Sequence, residues 1–272
     1  MIFDLHSHTN CSDGVLTPQE LVSRAIENQV DVLSITDHDT VDACNALSAG
    51  HENLTLIPGV EFSTQWVSSG IHIVGLNIDP ASDAMSEGVR YQTRARMERA
   101  HRIGENLEKK GVKGAYEGAL KLSVGDYVGR PHFAQHLVNI GRVSSIQAAF
   151  KKYLGAGKSG DVKLHWAEME QVIEWIRDAN GIAVLAHPSH YHFTSTRLKR
   201  LLDCFIEAGG LAMEVISGKQ QAQQTGFLAR LCTEKGLLAS CGSDFHRPDT
   251  VWAELGSFAP LPAGLRPVWD SF

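Results

Sequence analysis

Seven short runs of apolar and β-branched residues, at 2–5, 30–36, 54–62, 71–76, 182–186, 211–216 and 237–241, constrain this chain more than any other feature. Stretches of helical periodicity separate most of them, the pattern of βα units wrapped into a parallel barrel or sheet. Runs such as Asp31-Val32-Leu33-Ser34-Ile35 and Ile182-Ala183-Val184-Leu185-Ala186 are largely apolar, as strands covered on both faces must be. Thr17-Pro18-Gln19-Glu20 marks the first helix with a capping hydroxyl, a proline at the first helical position and a glutamate three residues after the cap. Leu21, Val22, Ala25 and Ile26 follow at core-facing spacing. Only about eight residues separate Phe62 from Ile71, too few for a helical crossover of ~10–12 residues, so a hairpin or an irregular barrel closure is expected there.

Between Leu76 and Ile182 the strand signal gives way to helical patterns at 82–110, 130–140, 144–154 and 166–179, punctuated by Gly111, Gly114, Gly118, Gly125 and Gly155-Ala156-Gly157. The expected organisation is a barrel-like body of residues 1–84 and 166–272, interrupted by an all-helical insertion over 85–165. A chain of 272 residues is ample for such a core. No apolar run approaches the ~20 residues of a membrane helix, and the N-terminus turns polar at Asp4, which predicts no secretory signal peptide. Five cysteines without a C-x-x-C pair argue against a disulfide framework or a thiolate zinc site, and for a reducing cytoplasm. The net charge of −6 argues against a basic surface that coats long nucleic acid.

Thirteen histidines are the compositional oddity, and many fall where strands end. The first strand runs into His6-Ser7-His8, with Ser12-Asp13-Gly14 just after, and the second ends in Asp37-His38-Asp39. The third ends in Pro58-Gly59-Val60-Glu61-Phe62-Ser63, the next carries His72, the fifth ends in His187-Pro188 and the seventh in Ser243-Asp244-Phe245-His246. Carboxyl ends of strands converge on one face in βα folds, and that face builds the site. Two residues apart on an extended chain, His6 and His8 point the same way, as do Asp244 and His246. A lone histidine at a strand end is more often a satisfied polar residue, but six clusters at corresponding positions point to a multinuclear metal site. His51, His101, His136, His165 and His192 lack such placement and carry no expected role.

The nine candidate ligands are His6, His8, Asp13, His38, Glu61, His72, His187, Asp244 and His246, all imidazole or carboxylate. That mix suits two or three ions of Mn²⁺, Zn²⁺ or Fe²⁺, while Cys11 makes only a weak case for sulfur ligation. Divalent ions would outweigh the three carboxylates Asp13, Glu61 and Asp244, so the pocket calls for an oxyanion and a hydroxide. Such clusters clamp phosphate and lower the pKa of water to ~7, which favours phosphoester hydrolysis and leaves amide hydrolysis open. Gly129-Arg130-Pro131-His132-Phe133 adds a guanidinium and an imidazole at a helix start, where the dipole also favours anions. Arg130, Arg99, His132 and Lys158 are the candidate substrate contacts, although arginines alternating with Glu98 and Glu105 are usually a solvated face. Gly155-Ala156-Gly157-Lys158-Ser159 lacks Walker spacing and a preceding strand, which argues against a P-loop.

With these residues laid out, the chain resembles the PHP (polymerase and histidinol phosphatase) family. The resemblance rests on Asp4-Leu5-His6-Ser7-His8-Thr9, Ser12-Asp13-Gly14, Thr36-Asp37-His38-Asp39, Gly59-Val60-Glu61-Phe62-Ser63, His72, Ala186-His187-Pro188 and Gly242-Ser243-Asp244-Phe245-His246. Within the family, Arg96-Met97-Glu98-Arg99, Gly114-Ala115-Tyr116-Glu117-Gly118-Ala119-Leu120, Arg130-Pro131-His132-Phe133-Ala134 and Phe150-Lys151-Lys152-Tyr153-Leu154 resemble the nucleoside 3′,5′-bisphosphate phosphatase and 5′-to-3′ exoribonuclease branch. The resemblance implies an α/β fold, a distorted (β/α)₇ barrel, with two or three metals, commonly manganese. One ion would use His6, His8, Glu61 and Asp244; a second Glu61, His72 and His187; a third Asp13, His38 and His246. It also implies a phosphatase that removes the 3′-phosphate of nucleoside 3′,5′-bisphosphates. For such a reaction a hydroxide near Glu61 is the expected attacking group and Asp13 or His246 the expected proton donor to the leaving oxygen. The alternatives are exonucleolytic cleavage of short 5′-phosphorylated RNA, histidinol-phosphate hydrolysis, and a non-catalytic metal- or nucleotide-sensing module, against which the complete ligand set argues. A small nucleotide or short RNA is the implied partner, with no long duplex and no membrane.

Overall fold

A computed structural model describes residues 1–47, 53–123, 127–162 and 166–272. Each of the expected runs forms a strand: β1 (Phe3–Asp4), β2 (Val32–Ile35), β3 (Thr55–Trp66), β4 (Ser69–Leu76), β5 (Ile182–Leu185), β6 (Ala212–Ser217) and β7 (Leu238–Gly242). They lie side by side in sequence order. Beyond β1, the Leu5 N–H donates to Cys241 O at 3.0 Å and the His8 N–H to Phe245 O at 2.8 Å, so the sheet curls into a nearly closed barrel. At this seam a Cβ on Gly242 would sit 2.4 Å from His6 Cβ, so only glycine lets the two ends meet.

Four neighbouring pairs are parallel, but β4 runs antiparallel to both β3 and β5. Trp66 pairs with Ser69 around Val67-Ser68, so the short connection is a hairpin. This corrects the expectation of donors at strand carboxyl ends throughout. His72, opposite Ser63, reaches the common face from the amino half of a reversed strand, and Glu61 lies mid-strand in β3.

Helix α1 (Pro18–Glu27) carries the expected capping box, the Thr17 hydroxyl accepting from the Glu20 N–H and the Glu20 carboxylate from the Thr17 N–H. It buries Leu21, Val22 and Ala25, while Ile26 faces solvent. A short α2 (Asp42–Ala46) follows β2. After β4 come α3 (Asp83–Glu108), α4 (Ala115–Leu120), α5 (Arg130–Asn139) and α6 (Ile146–Ala149), the last continuing into a π-turn at Phe150–Leu154. Sequence periodicity hid α4, because Gly114 and Gly118 read as breakers; Gly118 instead lies under the His136 imidazole, where a side chain would collide. Helices α7 (Met169–Asp178), α8 (Ser195–Glu207) and α9 (Ala222–Lys235) alternate with the last strands.

Phe62, Ile71, Ile73, Val172, Ile176, Leu201 and Phe205 belong to the main core, built where α7, α8 and α9 cover the barrel. A second core of Ile103, Leu107, Phe133, Leu137 and Leu154 holds α3 to α6 together. Helix α3 belongs to both, with Met85 in the first and Leu107 in the second, so the expected boundary at 84/85 falls inside one continuous helix. Among the described residues no helix is long and apolar enough to cross a membrane. His51, His165 and Gly125 lie outside the described residues.

Candidate metal centre

Barrel closure brings all nine donors to one face. His6 Nε2 lies 3.1 Å from His8 Nε2, and each is 3.3 Å from Glu61 Oε2. Asp244 Oδ1 is 3.3 Å from His8 Nε2 and 3.6 Å from His6 Nε2. The other Glu61 oxygen, Oε1, is 2.9 Å from both His72 Nδ1 and His187 Nε2. Asp13 Oδ1 is 3.2 Å from His246 Nε2 and 3.9 Å from His38 Nε2, with His8 Nδ1 at 4.0 Å. The three groups resemble the three implied by the family, with two residues shared: His8 borders both the Glu61 and the Asp13 group, and so does His38, whose Nδ1 lies 2.9 Å from Glu61 Oε2.

The donors fit divalent cations on an observation of their own. His8 Nδ1, Asp13 Oδ1, His38 Nδ1, Glu61 Oε2 and His187 Nδ1 are buried without a hydrogen-bond partner. A buried unsatisfied polar group costs about 1–3 kcal/mol, so their concentration at one spot calls for something that takes up lone pairs. Imidazole and carboxylate donors without thiolate are those of a first-row divalent ion. Cys11, partly buried nearby, joins none of the three groups.

Sequence reading passed over the residues that hold the donors in place. Glu214, inside the apolar β6, accepts from His6 Nδ1–H at 2.6 Å and from the His187 backbone N–H at 2.6 Å. The first bond leaves His6 Nε2 with its lone pair toward Glu61. A charged residue buried in an all-buried strand was the available signal. Asp37 accepts from the Thr9 N–H at 2.7 Å and from the Ser12 hydroxyl, fixing the loop that presents Asp13. Asp39, His187 and Asp244 all adopt positive φ, at 57°, 28° and 56°, as the chain leaves β2, β5 and β7. Such backbone is costly for non-glycine residues and persists only where neighbours over-determine it. Removing the Glu214 anchor (Glu214→Gln) should weaken metal affinity about 10–100-fold with the fold intact, read by metal titration beside circular dichroism.

Electrostatics within the cluster follow from burial opposed by close partners. Burial alone would lower His6, yet Glu214, Glu61 and Asp244 raise it well above the usual histidine value. Burial and the neighbouring His246 push His8 down to about 3. Burial works against ionised Asp13, Glu61 and Asp244, but the surrounding imidazoles hold all three below the usual carboxylate range.

Arg96 links the insertion to the barrel. Its guanidinium is buried, ion-paired to Asp39, bonded to the Ser63 hydroxyl at 3.0 Å and set over the Tyr127 ring at 4.3 Å. Arg96→Met should cost about 3–5 kcal/mol in a denaturant titration, because Asp39 would stay buried and uncompensated. The candidate substrate residues gather beside it. Burial first, and then Arg130 and Arg96, push Arg99 down to about 9, and burial lowers Arg130. Arg99 stacks on Trp166 at 5.5 Å and Arg130 on Phe150 at 5.9 Å. His132 Nδ1 accepts from the Gly129 N–H at 3.0 Å, leaving Nε2–H as a donor. Lys158 stands apart, exposed in its loop, and among the described residues no contact ties its ammonium to the cluster.

Folded this way, the chain is similar to proteins of known kind. It is 48% identical over 276 residues to the 5′-3′ exoribonuclease Rnm of Salmonella typhimurium, covering 100% of this chain and 94% of that protein. It is 39% identical to a 3′,5′-nucleoside bisphosphate phosphatase of Chromobacterium violaceum, covering 98% of this chain and 94% of the relative. Among solved structures, an amidohydrolase from Chromobacterium violaceum with bound sulfate and no metal superposes with a TM-score of 0.93 at 38% identity, covering 100% of this chain and 95% of that one. The PHP domain model matches residues 4–184, which carry the donors from His6 to His72 and the cationic helices; the chain belongs to the PHP domain family.

Proposed function

We propose that this protein is a divalent-metal phosphoesterase that breaks the bond between phosphorus and the 3′ oxygen of a nucleotide bearing its own 5′-phosphate, with nucleoside 3′,5′-bisphosphates as the small substrate. The carrying observation is the position of Arg99, Arg130 and His132. Arg99 and Arg130 lie close together with Asp161 facing both, and Arg130 and His132 face Asp13 of the cluster, so the three offer a place for a second anion beside the donors. A simple phosphate monoester offers one anion; a 3′,5′-bisphosphate offers two.

The nine donors would hold two or three ions, manganese by the family resemblance, in the three groups described above. When bound, these ions supply Lewis acidity, acidifying water and offsetting phosphate charge. Glu61 joins the groups by presenting one oxygen to His72 and His187 and the other to His6, His8 and His38. Arg99, Arg130 and the His132 Nε2–H hold the 5′-phosphate, which orients the 3′-phosphate over the donors. His246 Nδ1–H donates to Asp244 O at 2.9 Å, turning Nε2 toward Asp13; where only two ions are held and this third group stays free, His246 protonated at Nε2 as well would donate that proton to the leaving 3′ oxygen. The five free cysteines suit a reducing cytoplasm.

A second reading, removal of successive nucleotides from short 5′-phosphorylated RNA, is favoured by the 48% relative, named an exoribonuclease. Both reactions break the same bond. Manganese-loaded protein should release phosphate from adenosine 3′,5′-bisphosphate, and shorten a 5′-phosphorylated oligomer faster than its 5′-hydroxyl twin. Turnover of histidinol phosphate with no release from the bisphosphate would sink this reading.

A further inference from the structure

A groove of about 770 Å³ opens beside Asp244 and His246. The exits of β5, β6 and β7 build it, through Ser189–His192, Ser217–Gln224 and Ser243–Ala253. The arginines lie elsewhere, beside Arg96, which is ion-paired to Asp39 at the exit of β2. The groove thus meets the donor cluster at Asp244 and His246, whereas Arg130 and His132 face it at Asp13.

Four features of the groove point to a nucleotide. Ser217 is only 8% exposed, lines the groove and leaves its hydroxyl oxygen without a partner. Gln220 spends its amide N–H groups on Val215 O at 2.6 Å and the Thr225 hydroxyl at 2.9 Å, leaving Oε1 buried and unpartnered. Trp252 is 67% exposed although large and apolar, and the Lys219 N–H donates to its carbonyl at 2.6 Å, tying the aromatic segment to the cation-bearing one. Helix α9, of 14 residues, starts at this groove with Gln221 as a cap that makes no side-chain bond to it. A cation, a helix start, an exposed indole and unpaired polar atoms are the components of a single-strand site, where bases stack on aromatic faces and backbone phosphate meets positive charge. The volume also lies within the ~300–1,000 Å³ typical of small-ligand pockets.

We infer that this groove binds the nucleotide attached to the far side of the attacked phosphate, which supplies strand cleavage with a subsite for the outgoing nucleotide. The inference rests on the proposed cleavage at the 3′ oxygen. Water adds at phosphorus and the bond to the first nucleotide's 3′ oxygen breaks. A proton passes to that oxygen, and the phosphate remains on the 5′ oxygen of the second nucleotide. In a bisphosphate the second nucleotide is absent and free phosphate leaves. The first nucleotide keeps its 5′-phosphate on Arg99 and Arg130, while the base of the second stacks on Trp252 near Lys219.

The test compares adenosine 3′,5′-bisphosphate with 5′-phosphorylated ApA, on manganese-loaded wild type, Trp252→Ala and Lys219→Ala. Trp252→Ala should lower kcat/KM for the dinucleotide about 10-fold and leave the bisphosphate within 2-fold. A dinucleotide with no base at its second position should show the same loss on wild type and no further loss on Trp252→Ala. Lys219→Ala should flatten the salt dependence of dinucleotide cleavage by about one unit of log–log slope. Equal losses on both substrates, or none on the dinucleotide, would overturn the assignment. Wild type that hydrolyses the bisphosphate but not the dinucleotide also overturns it, leaving the proposed function standing. Failure on both substrates removes the proposed function itself.

Discussion

Glu61→Gln should abolish phosphate release from adenosine 3′,5′-bisphosphate, by roughly 10³-fold or more, while the protein still folds. The magnitude follows from losing one preorganised charged group in a closed site, which by itself costs about 10²–10³-fold. Here the group is shared: five imidazoles lie within 3.3 Å of its two oxygens, so its loss disturbs every donor group at once. Metal analysis of the purified variant should show fewer than the wild-type equivalents of manganese. Wild-type metal content and wild-type turnover together would show that Glu61 does not join the donor groups.

Replacing both Arg99 and Arg130 with Met should produce the second-largest effect, and in two directions. Truncating a buried charged contact costs about 2–5 kcal/mol, so kcat/KM for the bisphosphate should fall at least about 30-fold. Hydrolysis of p-nitrophenyl phosphate, which has no second phosphate, should change less than 3-fold. Stability should move the opposite way. Burial, Arg130 and Arg96 lower Arg99 to about 9 in the folded chain, so its cationic form is disfavoured by folding. That penalty is fully present at neutral pH and relaxes as pH rises above about 9. Without ligand, the double variant should therefore melt above wild type at pH 7, with the gap narrowing above pH 9. A lower melting temperature with unchanged selectivity would count against a phosphate role for these arginines.

All seven strands were legible in the sequence, and so was the gathering of the nine candidate donors on one face, because their signals are local. A β-branched run names a strand, and repeated histidines and carboxylates at strand ends mark one shared face. Reversal of β4 was half legible, since the short gap after Phe62 excluded a crossover helix without giving the register that sets His72 opposite Ser63. Glu214 was missed because its partners, His6 and His187, lie 208 and 27 residues away. The Asp39–Arg96 pair, 57 residues apart, escaped for the same reason: long-range pairing leaves no periodicity. Arginines on α3 looked like a solvated face because helical spacing alone does not say which side meets the barrel. Arg96 and Arg99 turn inward, whereas Arg102 pairs with Glu98 at the surface.

The narrow seam between β1 and β7 bears on the order in which the molecule acquires its parts. Glu61, His72 and their hairpin can form from neighbouring sequence, as quickly as any local contact. His6 and Asp244 come together only after some 238 residues have been threaded around the barrel, on a first strand two residues long. A cation held by both would act as a clasp across the largest loop in the donor set, where the entropy of closure is greatest. Folding would thus be checked by the cofactor itself. A chain whose last strand has not yet docked offers the hairpin half of the centre, and the complete centre forms only once the circuit is closed.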